Sequence, residues 1–298
     1  MSDKPHNKEA LINWYNEHSD YYDEETFVPT PESYAGDRFR ATLVCQVLQE
    51  LGCKRVLDIG CGTAYPAMEL IEAGMEVRGF DLSPGMISQA KKKLEQKGLP
   101  LDTFEVGDLL DPDTIARYAD QEWDAVITNG VVSYIEDTDT AHRHVSQLLK
   151  PGGYYLGAYA NRLFDLTTFN RFTLQFFDDY FFSEVDCPPD MMDQLRSELR
   201  GMISNPDAPE FIEFSARPEI YLRSDNPLTM GKDLEAYGLT QKDMLFYKFH
   251  AWPPLMKNLS PEILEAFNRN TYAYEIDRAR DWRGYFLCTT FIIVAQKS

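Results

Sequence analysis

The chain has 298 residues, 44% of them hydrophobic, with 17 Tyr and 18 Phe, so it can bury a real core and does not have the composition of a disordered segment. Its 29 basic and 48 acidic residues leave a formal net charge of −19, which repels phosphate backbones and anionic membranes over about 10 Å. Five scattered cysteines (Cys45, Cys53, Cys61, Cys187, Cys288) lack CxxC spacing, which argues against zinc or a disulfide framework, and the polar start and short apolar runs argue against a leader or membrane helix, leaving a soluble, cytoplasmic setting as the default.

Residues 1–36 are polar and aromatic, and their pattern predicts a helix over about 8–20. An amphipathic helix follows from Asp37 to Leu51 and ends at Gly52. Arg55–Ile59 is a short apolar, β-branched strand. Gly60-Cys61-Gly62 comes at once, then a helix over 64–73 ended by Gly74. Val77–Phe80 is the second strand. Ser83 caps the next helix and Pro84 takes its first position; Lys91-Lys92-Lys93 lies in that helix as a solvated face. Phe104–Val106 and Trp123–Thr128 are the third and fourth strands, and a helix covers 138–149. Pro151-Gly152-Gly153 breaks the chain before the strand Tyr154–Tyr159. Strands alternating with helices predict an α/β, doubly wound, mostly parallel sheet with helices on both faces.

The alternation pauses near residue 160. Residues 161–225 are first aromatic, then acidic and proline-rich, and read as an inserted cap with some helix and a strand near 211–222. Helical spacing puts Phe169, Phe172 and Phe176 on one face, either packed on the sheet or lining a pocket for a hydrophobic or cationic molecule. Residues 226–298 complete the core, with a helix over 228–237, a strand over 242–249 and a helical segment over 260–280. The final apolar run, Tyr285–Ala295, fits a central strand.

In doubly wound sheets, ligands bind at the carboxyl ends of the strands. The first strand here ends in Asp58-Ile59-Gly60-Cys61-Gly62-Thr63-Ala64, where glycines let the backbone turn tightly and approach a ligand. Phe80-Asp81-Leu82-Ser83 closes the second strand with an acid, 19 residues after Gly62, placed to accept two ribose hydroxyls. Asp108 follows the third strand and Asn129-Gly130 the fourth. The glycines and the ribose acid also suit a nicotinamide dinucleotide, but that reading gives Asp108 and Asn129 no role.

Val56–Ala64, Val106–Leu109, Trp123–Ile127 and Leu148–Tyr154, in that order and spacing, resemble the motifs of class I S-adenosylmethionine-dependent methyltransferases over roughly residues 37–160. The resemblance implies a seven-stranded, Rossmann-like sheet with its last strand antiparallel, and S-adenosyl-L-methionine as cofactor. It implies that Gly60 and Gly62 let the backbone pass the methionine part and that Asp58 supports the loop. Asp81 would hold the ribose, and Leu82 and Met86 would flank the adenine. Asp108 would accept from the adenine amino group, beside the Leu109 backbone, and the backbone at Asn129-Gly130 would receive the ammonium. Where the family's loop often has a third glycine, this chain has Ala64. Tyr15 and Tyr22, seven residues apart, could share a helix face and are similar to tyrosines that contact the cofactor in small-molecule members, so residues 1–36 are expected to act as a lid. Tyr34–Arg40 resembles a segment of glycine N-methyltransferases in which an arginine grips the cofactor carboxylate, and Arg38 and Arg40 are both candidates.

On the acceptor side, Tyr159, Asn161 and Arg162 follow the fifth strand. His250, in Phe249-His250-Ala251-Trp252, is placed either to act as a base near neutral pH or to serve as a structural loop residue. Tyr159 and His250 are the catalytic candidates, while His142 and His144 read as solvent-facing. The Asn-Pro-Pro-aromatic motif of DNA-adenine methyltransferases is absent, because Gly130-Val131 follows Asn129. The expected activity is methyl transfer to an O or N atom of a small molecule, without metal, nucleic acid or membrane, and the oligomeric state is left open. A non-catalytic, cofactor-binding regulator on the same fold is the competing reading.

Overall fold

Apolar strands buried on both faces build the centre of the molecule. The computed structural model describes residues 8–28, 36–184, 188–203, 220–249, 260, 262 and 275–298. Its strands are β1 (Arg55–Ile59), β2 (Glu76–Asp81), β3 (Phe104–Val106), β4 (Trp123–Asn129), β5 (Leu149–Ala160), β6 (Leu239–Phe249) and β7 (Cys288–Lys297). They form one seven-stranded sheet in the order β3-β2-β1-β4-β5-β7-β6. β1 to β5 pair in parallel, while β7 runs antiparallel between β5 and β6. That central position explains why Phe291–Ala295 are buried without a break.

The helices are α1 (Lys8–His18), α2 (Tyr22–Phe27), α3 (Asp37–Glu50), α4 (Tyr65–Glu72), α5 (Pro84–Lys97), α6 (Pro112–Ala116), α7 (Thr138–Leu148), α8 (Arg171–Tyr180), α9 (Pro189–Met202), α10 (Met230–Glu235) and α11 (Gly284–Leu287). Successive strand residues fall in different apolar layers, as a period of two requires. Val56, Ala125, Ile127, Leu156 and Ile292 pack with α3, α4 and α5, whereas Leu57, Val126, Tyr155, Phe291 and Ile293 pack with α7 and α10. The strand order reverses between β1 and β4, which opens a crevice at their carboxyl ends.

Several expectations need correction. Pro151-Gly152-Gly153 does not break the chain. It lies within β5, where the register jumps from Trp123–Leu149 to Ala125–Tyr154, so the extra residues bulge while pairing continues on either side. Residues 285–287 belong to α11, and the last strand starts only at Cys288. Phe169 precedes α8, is 42% exposed and has a φ of 51°, so it does not share the buried face of Phe176. Residues 220–222 are not a strand, and the rest of the strand expected near 211–222 lies outside the described residues. The same holds for most of the 260–280 helix, of which 275–277 are helical.

Residues 275–279 cover part of the open edge of β6. The Phe246 amide donates to the Ala279 carbonyl at 2.7 Å and the Phe249 amide to Glu275 Oε1 at 2.7 Å. Glu275 is fully buried, its Oε2 has no partner, and burial pushes its carboxyl up to about 8. The native state therefore binds this proton more tightly than the unfolded chain. The resulting stability is complete below the ordinary glutamate range and is lost as pH rises through about 8. Melting curves between about pH 5 and pH 8.5 should show a fall that Glu275→Gln flattens, because the amide stays neutral throughout. A wild-type slope in the variant would exclude Glu275 as its source.

Candidate cofactor site

The loops leaving β1, β2 and β4 meet at the crevice. The Gly60 and Cys61 amides both donate to the Phe80 carbonyl, at 2.8 and 3.2 Å, which ties the glycine loop to the end of β2. Gly60, Gly62 and Ala64 have φ values of 73°, 54° and 61°. Ala64 thus holds the left-handed conformation in which the family often places glycine. Asp81 Oδ2 accepts the Gly62 amide at 3.0 Å and Oδ1 accepts the Ser83 amide at 2.8 Å. Each oxygen keeps a second lone pair for a ligand hydroxyl. Burial raises the Asp81 carboxyl, and the two amides partly oppose that shift.

Beside this loop lies a set of buried polar atoms without partners. They are Asp58 Oδ1, Arg40 Nε and both side-chain atoms of Asn129. Burial pushes the Asp58 carboxyl up to about 7; Arg40 opposes this and Asp81 adds to it. Arg40 projects from α3, is 8% exposed and pairs with Asp37 at 3.2 Å. Lys248 Nζ reaches the same Asp37 at 2.5 Å. Burial opposes the Arg40 charge, but Tyr247, Asp37 and Tyr22 outweigh it and hold the pKa above its ordinary value. A Cβ on Gly130 would lie 3.2 Å from Arg40 Nη1, so the guanidinium rests on the loop leaving β4. Arg38 instead stacks on its neighbour Phe39, 4.6 Å from the ring centre. Arg38 Nε is likewise buried without a partner, and it is the approach to Gly130 that places Arg40 by the loop leaving β4. Unpaired buried polar atoms are costly. One guanidinium nitrogen, one carboxyl oxygen and a primary amide without protein partners together suit a ligand that carries both a carboxylate and an ammonium.

The remaining cofactor candidates line the same edge or lie just behind it. Tyr15 on α1 and Tyr22 on α2 meet edge to face at 5.9 Å, from two helices rather than from one helix face. Leu82 packs among Leu11, Trp14, Tyr15 and Tyr134. Met86 is buried in the first turn of α5, and Leu109 is buried in the α7 layer. Asp108 accepts the Leu110 amide at 2.8 Å and pairs with Lys8 from α1. Lys8, Asn16, Asp37, Tyr247 and Lys248 have contacts here that no local pattern announced. Apart from Asp37 with Arg40, these contacts join residues distant in sequence, as Lys8 and Asp108 show at a separation of 100 residues.

The acceptor-side candidates fare differently. Tyr159 was expected at the reacting end, but it is 1% exposed, with its hydroxyl bonded to Tyr155 at 2.6 Å and to His142 Nε2 at 2.9 Å. Tyr155 continues to Thr128 Oγ1 at 2.7 Å. These groups form a buried chain that includes His142 of α7. His142 is therefore not solvent-facing: it is 6% exposed, and burial, with Arg223 nearby, lowers its pKa to about 4. His144 is half-buried and bonds the Leu109 carbonyl at 2.7 Å. Asn161 Nδ2 reaches the carbonyls of Gly284, Tyr285 and Cys288, tying β5 to the start of β7, and Arg162 is held by Asp165 and Asp179. His250 and Trp252 lie outside the described residues. Tyr159→Phe should cost about 1–3 kcal/mol of stability, because it leaves His142 and Tyr155 without their shared partner. Denaturation of the variant checks this, and an unchanged stability would show that the hydroxyl chain contributes nothing.

A family model described as a methyltransferase domain matches residues 52–200, half of the chain. The chain is 31% identical over 108 residues to a ubiquinone biosynthesis O-methyltransferase of Paramagnetospirillum magneticum, covering 36% of this chain and 41% of that one. It is 37% identical over 76 residues to a magnesium-protoporphyrin O-methyltransferase of Rhodobacter capsulatus, covering 26% and 34%. The match thus spans less than half the length of either relative. Among solved structures, magnesium protoporphyrin IX methyltransferase from Synechocystis with bound SAH superposes with a TM-score of 0.58 at 14% identity, covering 98% of this chain and 100% of that one, which is a likeness of fold. No helix among the described residues is long and apolar enough to cross a membrane. With the glycine loop, the acid that closes β2 and the ordered strand ends in place, the chain belongs to the methyltransferase domain family, in its class I, S-adenosylmethionine-dependent form.

Proposed function

We propose that this protein transfers the methyl group of S-adenosylmethionine to an O or N atom of a small-molecule acceptor. The observation that carries the reading is the set of buried, unpartnered atoms beside Asp81: Arg40 Nε, Asp58 Oδ1 and the side-chain amide of Asn129. It offers separate partners for the carboxylate, the ammonium and the ribose of one ligand. In this reading, Arg40 binds the carboxylate, Asn129 and Asp58 take the ammonium, and Asp81 takes the ribose hydroxyls. Asp108 meets the adenine edge, and Tyr15 and Tyr22 close over the crevice and exclude water. The bound cofactor supplies an activated methyl group, so the chain's main task is to hold the acceptor in line and keep water out. A base is required only for an acceptor that arrives protonated. His250 directly follows Phe249, the last residue of β6, and its neighbour Lys248 reaches Asp37 beside Arg40, which supports His250 as the candidate for that task.

Residues 1–36 form the lid, 37–160 and 226–298 the core, and 161–225 the cap over the acceptor. The curated relatives named above are O-methyltransferases, which favours an oxygen acceptor. The −19 charge favours a small molecule over nucleic acid, and the scattered cysteines favour a cytoplasmic setting. The test uses purified protein, isotopically labelled S-adenosylmethionine and a panel of phenols, carboxylic acids and amines, with product mass read directly. Methylated product supports the proposal. Cofactor binding without turnover of any acceptor class would favour a regulator, and binding of NAD in place of S-adenosylmethionine would overturn the reading.

A further inference from the structure

One side chain joins the lid to the loop that carries the ribose acid. Asn16, on α1, turns its Oδ1 toward the start of α5. There it accepts the Gly85 amide at 2.8 Å and the Ser83 hydroxyl at 2.7 Å. A backbone amide can only donate, so the oxygen of Asn16 must face it. Ser83 Oγ in turn accepts the Met86 amide at 3.1 Å, as the N-cap of α5. The Ser83 amide donates to Asp81 Oδ1 at 2.8 Å, and Asp81 Oδ2 accepts the Gly62 amide at 3.0 Å. A path therefore runs from the lid to the side chain of Ser83, from its backbone amide to Asp81, and from Asp81 to the glycine loop.

Packing at the same point is close. A Cβ added to Gly85 would stand 3.0 Å from Asn16 Cα, Asn16 Oδ1 and Ser19 Oγ. Besides aromatic contacts of Phe27 with Tyr65 and Tyr15 with Tyr134, polar links from the lid include Lys8 with Asp108, Asp20 with Gln89, and Asp23 with Lys93 and Thr63. Most of these polar links join partly exposed charged groups, which solvent and salt weaken. The Asn16 link is half-buried and ends on Ser83, whose amide holds Asp81 Oδ1.

We infer that Asn16 is a positioning residue for cofactor binding: as the lid's acceptor it fixes Ser83, and through Ser83 the orientation of Asp81, so that lid docking and cofactor retention are coupled. The inference rests on the reading of Asp81 as the ribose acid. Coupling of this kind is reciprocal, so the bound ligand must also protect the lid.

Two substitutions separate acceptor chemistry from shape. Asn16→Leu keeps the approximate size and removes the acceptor. Asn16→Asp keeps the acceptor and adds a negative charge at a helix N-terminus, where it is favoured. In the full-length protein, calorimetry with S-adenosylhomocysteine should show affinity about tenfold weaker in Asn16→Leu and near wild type in Asn16→Asp. Gly85→Ala pushes the lid from the other side while improving helix propensity. It should weaken binding without lowering the melting temperature. In hydrogen exchange without ligand, the Gly85 amide should exchange faster in Asn16→Leu; in wild type, S-adenosylhomocysteine should slow exchange across residues 8–28. Wild-type affinity in Asn16→Leu, or no recovery in Asn16→Asp, would overturn the role while leaving the methyltransferase reading intact. Failure of the wild-type protein to bind S-adenosylhomocysteine would overturn that reading, and this role with it.

Discussion

Asp81→Ala is expected to weaken both S-adenosylmethionine and S-adenosylhomocysteine by about 5- to 150-fold, the equivalent of ~1–3 kcal/mol. The two ligands share a ribose and differ at sulfur, so a defect confined to the ribose must act equally on both. Part of the loss comes from the protein itself. Without the carboxylate, the Gly62 and Ser83 amides lose the acceptor that holds their loops together. Asp81→Asn should fall between the two, since its carbonyl oxygen can still accept one amide while its NH₂ cannot accept the other. The core contributed by β1, β4 and β5 does not depend on this side chain, so the melting temperature should move little. Unchanged affinity for both ligands, with the fold intact, would remove Asp81 from the site. A loss for one ligand only would place it near the sulfur instead.

The cofactor loop was legible because its residues are consecutive. Asp58 to Ala64 and Phe80 to Ser83 carry their backbone demands in their own order, and the strands before them are short β-branched runs bounded by glycine. β1 to β4 accordingly sit within about two residues of where the sequence puts them. The misread elements have a common cause, which is that their state depends on pairing with distant chain. Pro151-Gly152-Gly153 looks like a terminator locally, yet strand pairing on both sides carries β5 through it as a bulge. The apolar run from Tyr285 has no internal marker to separate the helical turn from β7.

Tyr159 illustrates a different limit. A strand residue's face is set by parity, and which face meets which helix is set by the crossovers, not by neighbouring residues. Tyr155, Gly157 and Tyr159 share one face, and a Cβ on Gly157 would fall 2.3 Å from the Tyr155 hydroxyl, so the missing side chain at 157 is what leaves room for the hydroxyl chain. His142 could have been placed better. Ala141, Val145 and Leu148 mark the buried stripe of α7, and His142 lies three residues before Val145 on the flank of that stripe. Lys8, Asn16 and Lys248 had no such signal, since each acts across a long stretch of chain.

The two glycines of the loop should respond differently to the same substitution, and Gly60→Ala should be the most damaging change in the site. Both residues have positive φ, 73° at Gly60 and 54° at Gly62, so alanine is strained at either by roughly 1–2 kcal/mol. Their surroundings differ. A Cβ on Gly60 would stand 2.1 Å from Cγ2 of Val131, a contact that cannot exist, whereas a Cβ on Gly62 meets nothing within 4 Å. To admit alanine at Gly60, Val131 must give way in its side chain or with the loop leaving β4, and that loop follows Asn129 and rests against Arg40. Overpacking adds about 1–3 kcal/mol to the backbone strain. Gly60→Ala should therefore lower stability by ~2–5 kcal/mol and bring cofactor binding below detection. Gly62→Ala should cost only the backbone strain, roughly 1–2 kcal/mol, while still weakening binding, because the proposed function puts the cofactor in the open space beside it. Chemical denaturation and calorimetry on the two variants give both quantities. Equal stability losses would show that the β1 and β4 loops do not approach as closely as the structure has them. Full binding in Gly60→Ala would place the cofactor elsewhere.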